Sequence, residues 1–133
     1  MISGNIFIIM NILNTNISID TLSKVFQLLG QPSRLKIILT IGKGEACVCH
    51  IKDALNKRQA YISQQLMLLK DANMVSHRRV GRNLYYRLTD QNLLMLIEDA
   101  AKYLKIPLPE ISIPDIPGCP YYACIQEAKK TIK

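Results

Sequence analysis

Residues 44–55 read GEACVCHIKDAL, and within them Cys47 and Cys49 stand one residue apart. Thiolates are soft donors that favour thiophilic ions, so a close pair raises the question of a metal site. In a regular helix, side chains two residues apart are rotated by about 200°, which would keep these two from one ion. They converge if a helix begins between them, with Cys47 still in the incoming chain, and Gly44 permits such an entry. A helix N-terminus also favours the thiolate form. The alternative is a pair of small buried hydrophobes. The other two of the four cysteines are Cys119, between Gly118 and Pro120, and Cys124 just over one helical turn later. Neither pair has the C-x-x-C spacing of a redox enzyme or a zinc ribbon. Three thiolates suit As(III) or Sb(III), and four suit Cd, Pb or Zn. His50 is expected at the surface rather than among the ligands.

The elements that must hold these residues follow from apolar spacing. TLSKVFQLL places Leu22, Val25, Phe26 and Leu29 on one helical face, ended by Gly30. Pro32 suits the first turn of a second helix over 32–42, with Leu35, Ile38 and Leu39 in its stripe and Ile37 and Ile41 widening it. A Gly- and Lys-rich loop leads to the thiol stretch and a short helix through Leu55, with Asn56 able to turn left-handed. A fourth helix runs from about Gln59 to Ala72 with Ile62, Leu66 and Leu69 inward, and Asn73 closes it. The period then changes to two. Val75–Val80, Gly81-Arg82 and Asn83–Leu88 predict a hairpin with a type II′ turn. Thr89 or Asp90 caps a last long helix whose apolar surface, Leu93 to Leu104, is wider than one small core needs. Part of it is therefore expected to be a dimer face. A stiff, proline-punctuated stretch follows, then a short terminal helix from Pro120. The predicted fold is mainly α with a β-hairpin wing: a winged helix-turn-helix, homodimeric through its N- and C-terminal helices. We divide it into an N-terminal extension (1–17), the DNA-binding and dimerisation domain (18–105), and a tail (106–133).

The 133 residues carry a formal charge of +7 and no Trp. A balance this basic favours an anionic partner, most commonly nucleic acid, with a membrane surface or plain solubility as the alternatives. The apolar run from Ile6 to Met10 is too short to span a bilayer. It lacks the basic start and cleavage pattern of a secretory signal, so a cytoplasmic setting with reduced thiols is expected, without membrane attachment. In a helix-turn-helix the second helix enters the major groove of double-stranded DNA. Its outer face offers Gln59, Ser63, Gln64 and Lys70, with Tyr61 and Gln65 near the edges. The hairpin adds His77, Arg78, Arg79, Arg82 and Arg87, with Arg82 at the tip, suited to phosphates or a minor groove.

Four stretches in order, LLGQPSRLKIILTI, GEACVCHIKDAL, ISQQLMLLKDANMV and RRVGRNLYYRL, resemble the successive signatures of the ArsR/SmtB family of metal-sensing repressors. The resemblance covers roughly residues 22–104, and its C-V-C is similar to that of the arsenic, antimony, cadmium and lead sensors. It implies a homodimeric, non-enzymatic repressor that binds an inverted-repeat operator and releases it when metal binds. The chain departs from the family in several places. Gln31-Pro32 replaces Asp-Pro, Ala72-Asn73 replaces Ala-Gly, and Gln64-Gln65 stands where a His pair is common. The zinc sensors' Asp-x-His pair and later ligands meet Asp90, Asn92, Tyr103 and Ile106, so that zinc site is not expected. A third cysteine of the arsenic sensors falls at Lys52. The missing thiolate must then come from Cys119 or Cys124, reaching the other subunit's Cys47 and Cys49 across the dimer. Two rivals remain at this point: the same repressor sensing thiol oxidation or persulfide, and a thiol-dependent enzyme or metal carrier with no DNA role.

Overall fold

The computed structural model describes residues 17–109 and 111, and the chain divides into two compact units after Pro32. In the first unit, helix α1 occupies 17–29 and ends where the Gly30 N–H bonds the Phe26 carbonyl at 2.8 Å. Of its expected apolar face, Leu29 is buried and Val25 half-buried, while Leu22 and Phe26 are 54% and 53% exposed. Half of that face is therefore left uncovered within one chain.

From Pro32 onward the order is α2 (Pro32–Ile41), β1 (Glu45–Cys47), α3 (Val48–Leu55), α4 (Gln59–Asp71), β2 (Val75–Val80), β3 (Asn83–Leu88) and α5 (Asn92–Leu104). This is the expected winged helix-turn-helix, with one addition. The stretch leading to the thiols, expected as loop, forms the three-residue strand β1. It completes an antiparallel sheet in the order β1-β3-β2, pairing Glu45 with Arg87 and Cys47 with Tyr85. Three residues are too few to show an alternation of period two, so the strand exists because β3 offers it a partner edge.

Hydrophobic burial holds the unit together. Ile37 and Ile38 of α2, Ile51 of α3, and Ile62, Leu66 and Leu69 of α4 have no exposed surface. Helix α3 packs on α4, and α4 on β2, so the core lies directly behind the helix-turn-helix. Helix ends obey backbone chemistry. Asn56, Asn73 and Lys105 follow α3, α4 and α5 in the left-handed region. After α4, the Asn73 and Met74 N–H groups close back on the Lys70 and Leu69 carbonyls, satisfying acceptors the helix would otherwise leave open. The hairpin turn is Gly81-Arg82, and only Gly81 of the two has positive φ, as a type II′ turn requires. At the start of α5 the Asp90 carboxylate accepts the Asn92 N–H at 2.9 Å.

Helix α5 buries Leu94, Ile97 and Ala101 and exposes Met95, Leu96, Tyr103 and Leu104. Its apolar surface is thus wider than this core uses. Among the described residues, no helix is long and apolar enough to cross a membrane. The N-terminal apolar run, the proline-punctuated segment beyond 111 and the expected terminal helix with Cys119 and Cys124 lie outside the described residues.

Candidate functional site

Helix α3 begins at Val48, between the two cysteines, and Cys47 is its N-cap with extended backbone (φ −83°, ψ 162°). The break in backbone geometry overrides the rotation a continuous helix would impose. The Cα atoms of Cys47 and Cys49 lie 5.4 Å apart, the side chains converge across the break, and the two sulfurs are joined as a disulfide. Cys47 is 1% exposed and Cys49 half-buried, both packed with Tyr85, the cross-strand partner of Cys47.

His50 corrects an expectation. It is 1% exposed, not a surface side chain, and its Nδ1 lies 2.7 Å from Cys47 Sγ and 3.9 Å from Cys49 Sγ. The cause is cap geometry. With Cys47 at N-cap, His50 is the third helical residue, whose side chain naturally folds back on the cap. The C-x-x-H spacing was the available signal. Burial lowers the His50 pKa, opposed by the negative charge of Asp53, so the ring is neutral at neutral pH and keeps a lone pair. Cys47, Cys49 and His50 place their ligand atoms within 4.8 Å of one another. Two soft sulfurs and an imidazole fit a thiophilic or borderline cation once the disulfide is reduced. The further thiols, Cys119 and Cys124, lie outside the described residues.

The basic face is rearranged relative to the sequence reading. Gln59, Ser63, Gln64 and Lys70 are exposed along α4, as expected. Gln65 is not available there. It is 7% exposed, and its Oε1 accepts a 2.9 Å hydrogen bond from Arg34 Nε of α2, because a residue one step past Gln64 turns about 100° towards the core. Tyr61 is half-buried and donates its hydroxyl to Ser33 Oγ at 3.0 Å, so it ties α4 to α2. On the hairpin, His77, Arg78, Arg79, Arg82 and Arg87 are all exposed but do not form one stripe. Strand alternation puts His77 and Arg79 on one face and Arg78 and Arg87 on the other. Arg78 is further engaged by the Glu45 carboxylate at 2.8 Å and lies over the Tyr85 ring. Arg82 occupies the turn.

Residues 31–77 match the family model described as bacterial regulatory protein, arsR family. An HTH-type transcriptional regulator of Methanocaldococcus jannaschii is 35% identical over 77 residues, which span 86% of that protein and 57% of this chain. The chain belongs to the ArsR family. The transcriptional repressor SmtB homolog of Synechocystis is 34% identical to this ArsR-family chain over 84 residues, covering 63% of this chain and 64% of the relative. The cadmium resistance transcriptional regulatory protein CadC homolog of Staphylococcus aureus is 34% identical over 79 residues, 59% of this chain and 65% of its own. The chain thus spans a little under two thirds of these two relatives. In three dimensions it is similar to a homodimeric winged helix-turn-helix DNA-binding domain from Mycobacterium bovis. The TM-score is 0.61 at 26% identity, over 68% of this chain and 87% of that one.

Proposed function

We propose that this ArsR-family chain is a homodimeric transcriptional repressor. It binds an inverted-repeat operator and releases it when a thiophilic metal or metalloid is held by Cys47 and Cys49. The observation that carries the reading is the start of α3 between the two cysteines, which gathers a soft donor set on the helix that braces α4. As(III) or Sb(III) is the effector of choice, with a third thiolate from Cys119 or Cys124 of either subunit. A second reading, Cd, Pb or Zn, is favoured by His50, which offers a nitrogen donor beside the pair. No enzymatic constellation enters this account.

The mechanism runs through packing. Helix α3 begins at the thiols and packs on α4, and Ile51 of α3 and Ile62 and Leu66 of α4 are fully buried. A dimer reads two half-sites roughly 34–36 Å apart, so a small displacement of both α4 helices weakens both contacts together. A coupling of about 1–3 kcal/mol lowers operator affinity about 5–150-fold. The uncovered apolar faces of α1 and α5 supply the dimer surface in this reading.

The test is fluorescence anisotropy of the reduced protein on a labelled fragment of its own upstream DNA, titrated with arsenite and then cadmium. Release by either ion supports the reading, and indifference to both discards the metal. Within α4 the neighbouring glutamines provide a sharper prediction. Gln64→Ala is expected to lose on the order of 1–3 kcal/mol of operator binding with thermal stability unchanged. Gln65→Ala should instead lower folding stability by about 1–3 kcal/mol, because Arg34 loses its buried acceptor. Thermal melts and binding isotherms on the two variants check this inversion.

A further inference from the structure

Beside the disulfide lies a cavity of ≈ 670 Å³ whose walls come from the start of α3, the outer side of α4 and the hairpin. Cys47 and Cys49 line it together with the cations Lys52, Lys70 and Arg82, against the single carboxylate Asp71. The size is in the range of about 300–1,000 Å³ typical of small-molecule sites. A metal or metalloid held on the thiols fills only a small fraction of that space, and the positively charged remainder is left for a second ligand. An oxidised thiol pair at the bottom of a positively charged pocket suits a different ligand.

We propose that this cavity docks a low-molecular-weight anionic thiol that reduces the Cys47–Cys49 disulfide by attack at Cys49. The direction of the exchange follows from the two sulfurs' surroundings. Cys49 is the more exposed and receives the incoming thiolate; Cys47 is 1% exposed and leaves. His50 Nδ1, at 2.7 Å from Cys47 Sγ against 3.9 Å from Cys49 Sγ, is within reach of the departing Cys47 thiolate and donates a hydrogen bond to it in the Nδ1–H tautomer. The ligand's sulfur forms a bond to Cys49 Sγ as the Cys47–Cys49 bond breaks, and the electron pair goes to Cys47. A second ligand thiolate then attacks the ligand's own sulfur in the mixed disulfide and frees Cys49. Two thiols become one small disulfide, the protein disulfide becomes two thiols, and the protons released by the ligand thiols are available to the new thiolates. Reduction of this kind restores the donor set a metal requires. It needs neither DNA nor metal, so its failure leaves the repressor reading standing.

The test uses the full chain after mild oxidation, with the Gly44–Lys52 peptide monitored by mass spectrometry. Second-order reduction rates are compared for glutathione, 2-mercaptoethanol and cysteamine, each corrected for its thiolate fraction and its rate on an uncharged disulfide. Charge focusing in clefts is worth about 10–10³ in rate, so glutathione should exceed cysteamine at least about tenfold at low salt. The preference should shrink in high salt as screening shortens the field's reach. Lys52→Glu should reduce the preference severalfold, read as the ratio of the glutathione rate to the 2-mercaptoethanol rate in the same protein. Trapped mixed disulfide is expected on Cys49. Rates blind to thiol charge, the result for a cavity shaped only for DNA phosphate, would overturn the proposal. So would an adduct on Cys47, or failure of the Cys47–Cys49 disulfide to form.

Discussion

Leu66→Ala is expected to destabilise the domain by about 2–5 kcal/mol in urea denaturation followed by circular dichroism. Leu66 has no exposed surface and sits in the layer between α4 and its neighbours, flanked on the same stripe by Ile62 and Leu69. Truncation removes the transfer free energy of three carbons and leaves a void, since a core bounded by two other fully buried branched side chains collapses only partly. A domain of this size has roughly 5–15 kcal/mol in total, so the loss is a large fraction. The next residue is the control. Met67 is 63% exposed, and Met67→Ala should change stability by no more than about 0.5 kcal/mol. If both substitutions cost the same, the helix is rotated from the orientation described. Its outward set Gln59, Ser63 and Gln64 would then have to be reassigned with it.

That orientation was legible because α4 is long enough for a period of 3.6 to show, and Ile62, Leu66 and Leu69 repeat at that period. The hairpin was legible for a related reason. A Gly-Arg pair between two six-residue runs leaves little choice of register, and β2 and β3 begin and end at the predicted residues. The start of α3 between Cys47 and Cys49 was also deducible, since only there can the two sulfurs meet. What was hidden depended on partners distant in sequence. Strand β1 is invisible until β3 supplies its ladder. Gln65 and Tyr61 look like surface polar residues until Arg34 and Ser33, from a helix some thirty positions earlier, approach them. Local pattern reports which way a side chain points, and it does not report what waits there. His50 failed for the opposite reason. Its partner was only three residues away, but an N-cap interaction made by sulfur and imidazole lacks the familiar Ser-x-x-Glu signature. The basic stretch does not present one surface, because a strand sends neighbouring arginines to opposite faces.

Cys47, Cys49 and His50 give the largest functional prediction. In reduced protein, Cys47→Ser should bind operator DNA as the natural chain does and lose the effector-driven release, an expected 5–150-fold change falling to about one. Serine preserves the cap position and its extended backbone, so α3 should still begin at Val48, and what is lost is the soft donor. His50 then separates the candidate ions. If the site takes a divalent ion through Cys47, Cys49 and His50, removing the imidazole in His50→Gln deletes a ligand. Cadmium should then be required at a concentration at least about tenfold higher, since even supporting groups around a metal contribute 10–100-fold. If the effector is arsenite held by three thiolates, His50→Gln should leave its titration in place, and Cys119→Ser or Cys124→Ser should move it instead. A site built from the thiol pair, His50 and one tail cysteine would show both shifts for one ion, and anisotropy on one labelled operator distinguishes all three patterns. A Cys47→Ser protein that still releases DNA at the natural effector concentration would remove the thiol pair from the signal altogether, leaving the start of α3 with a structural role alone.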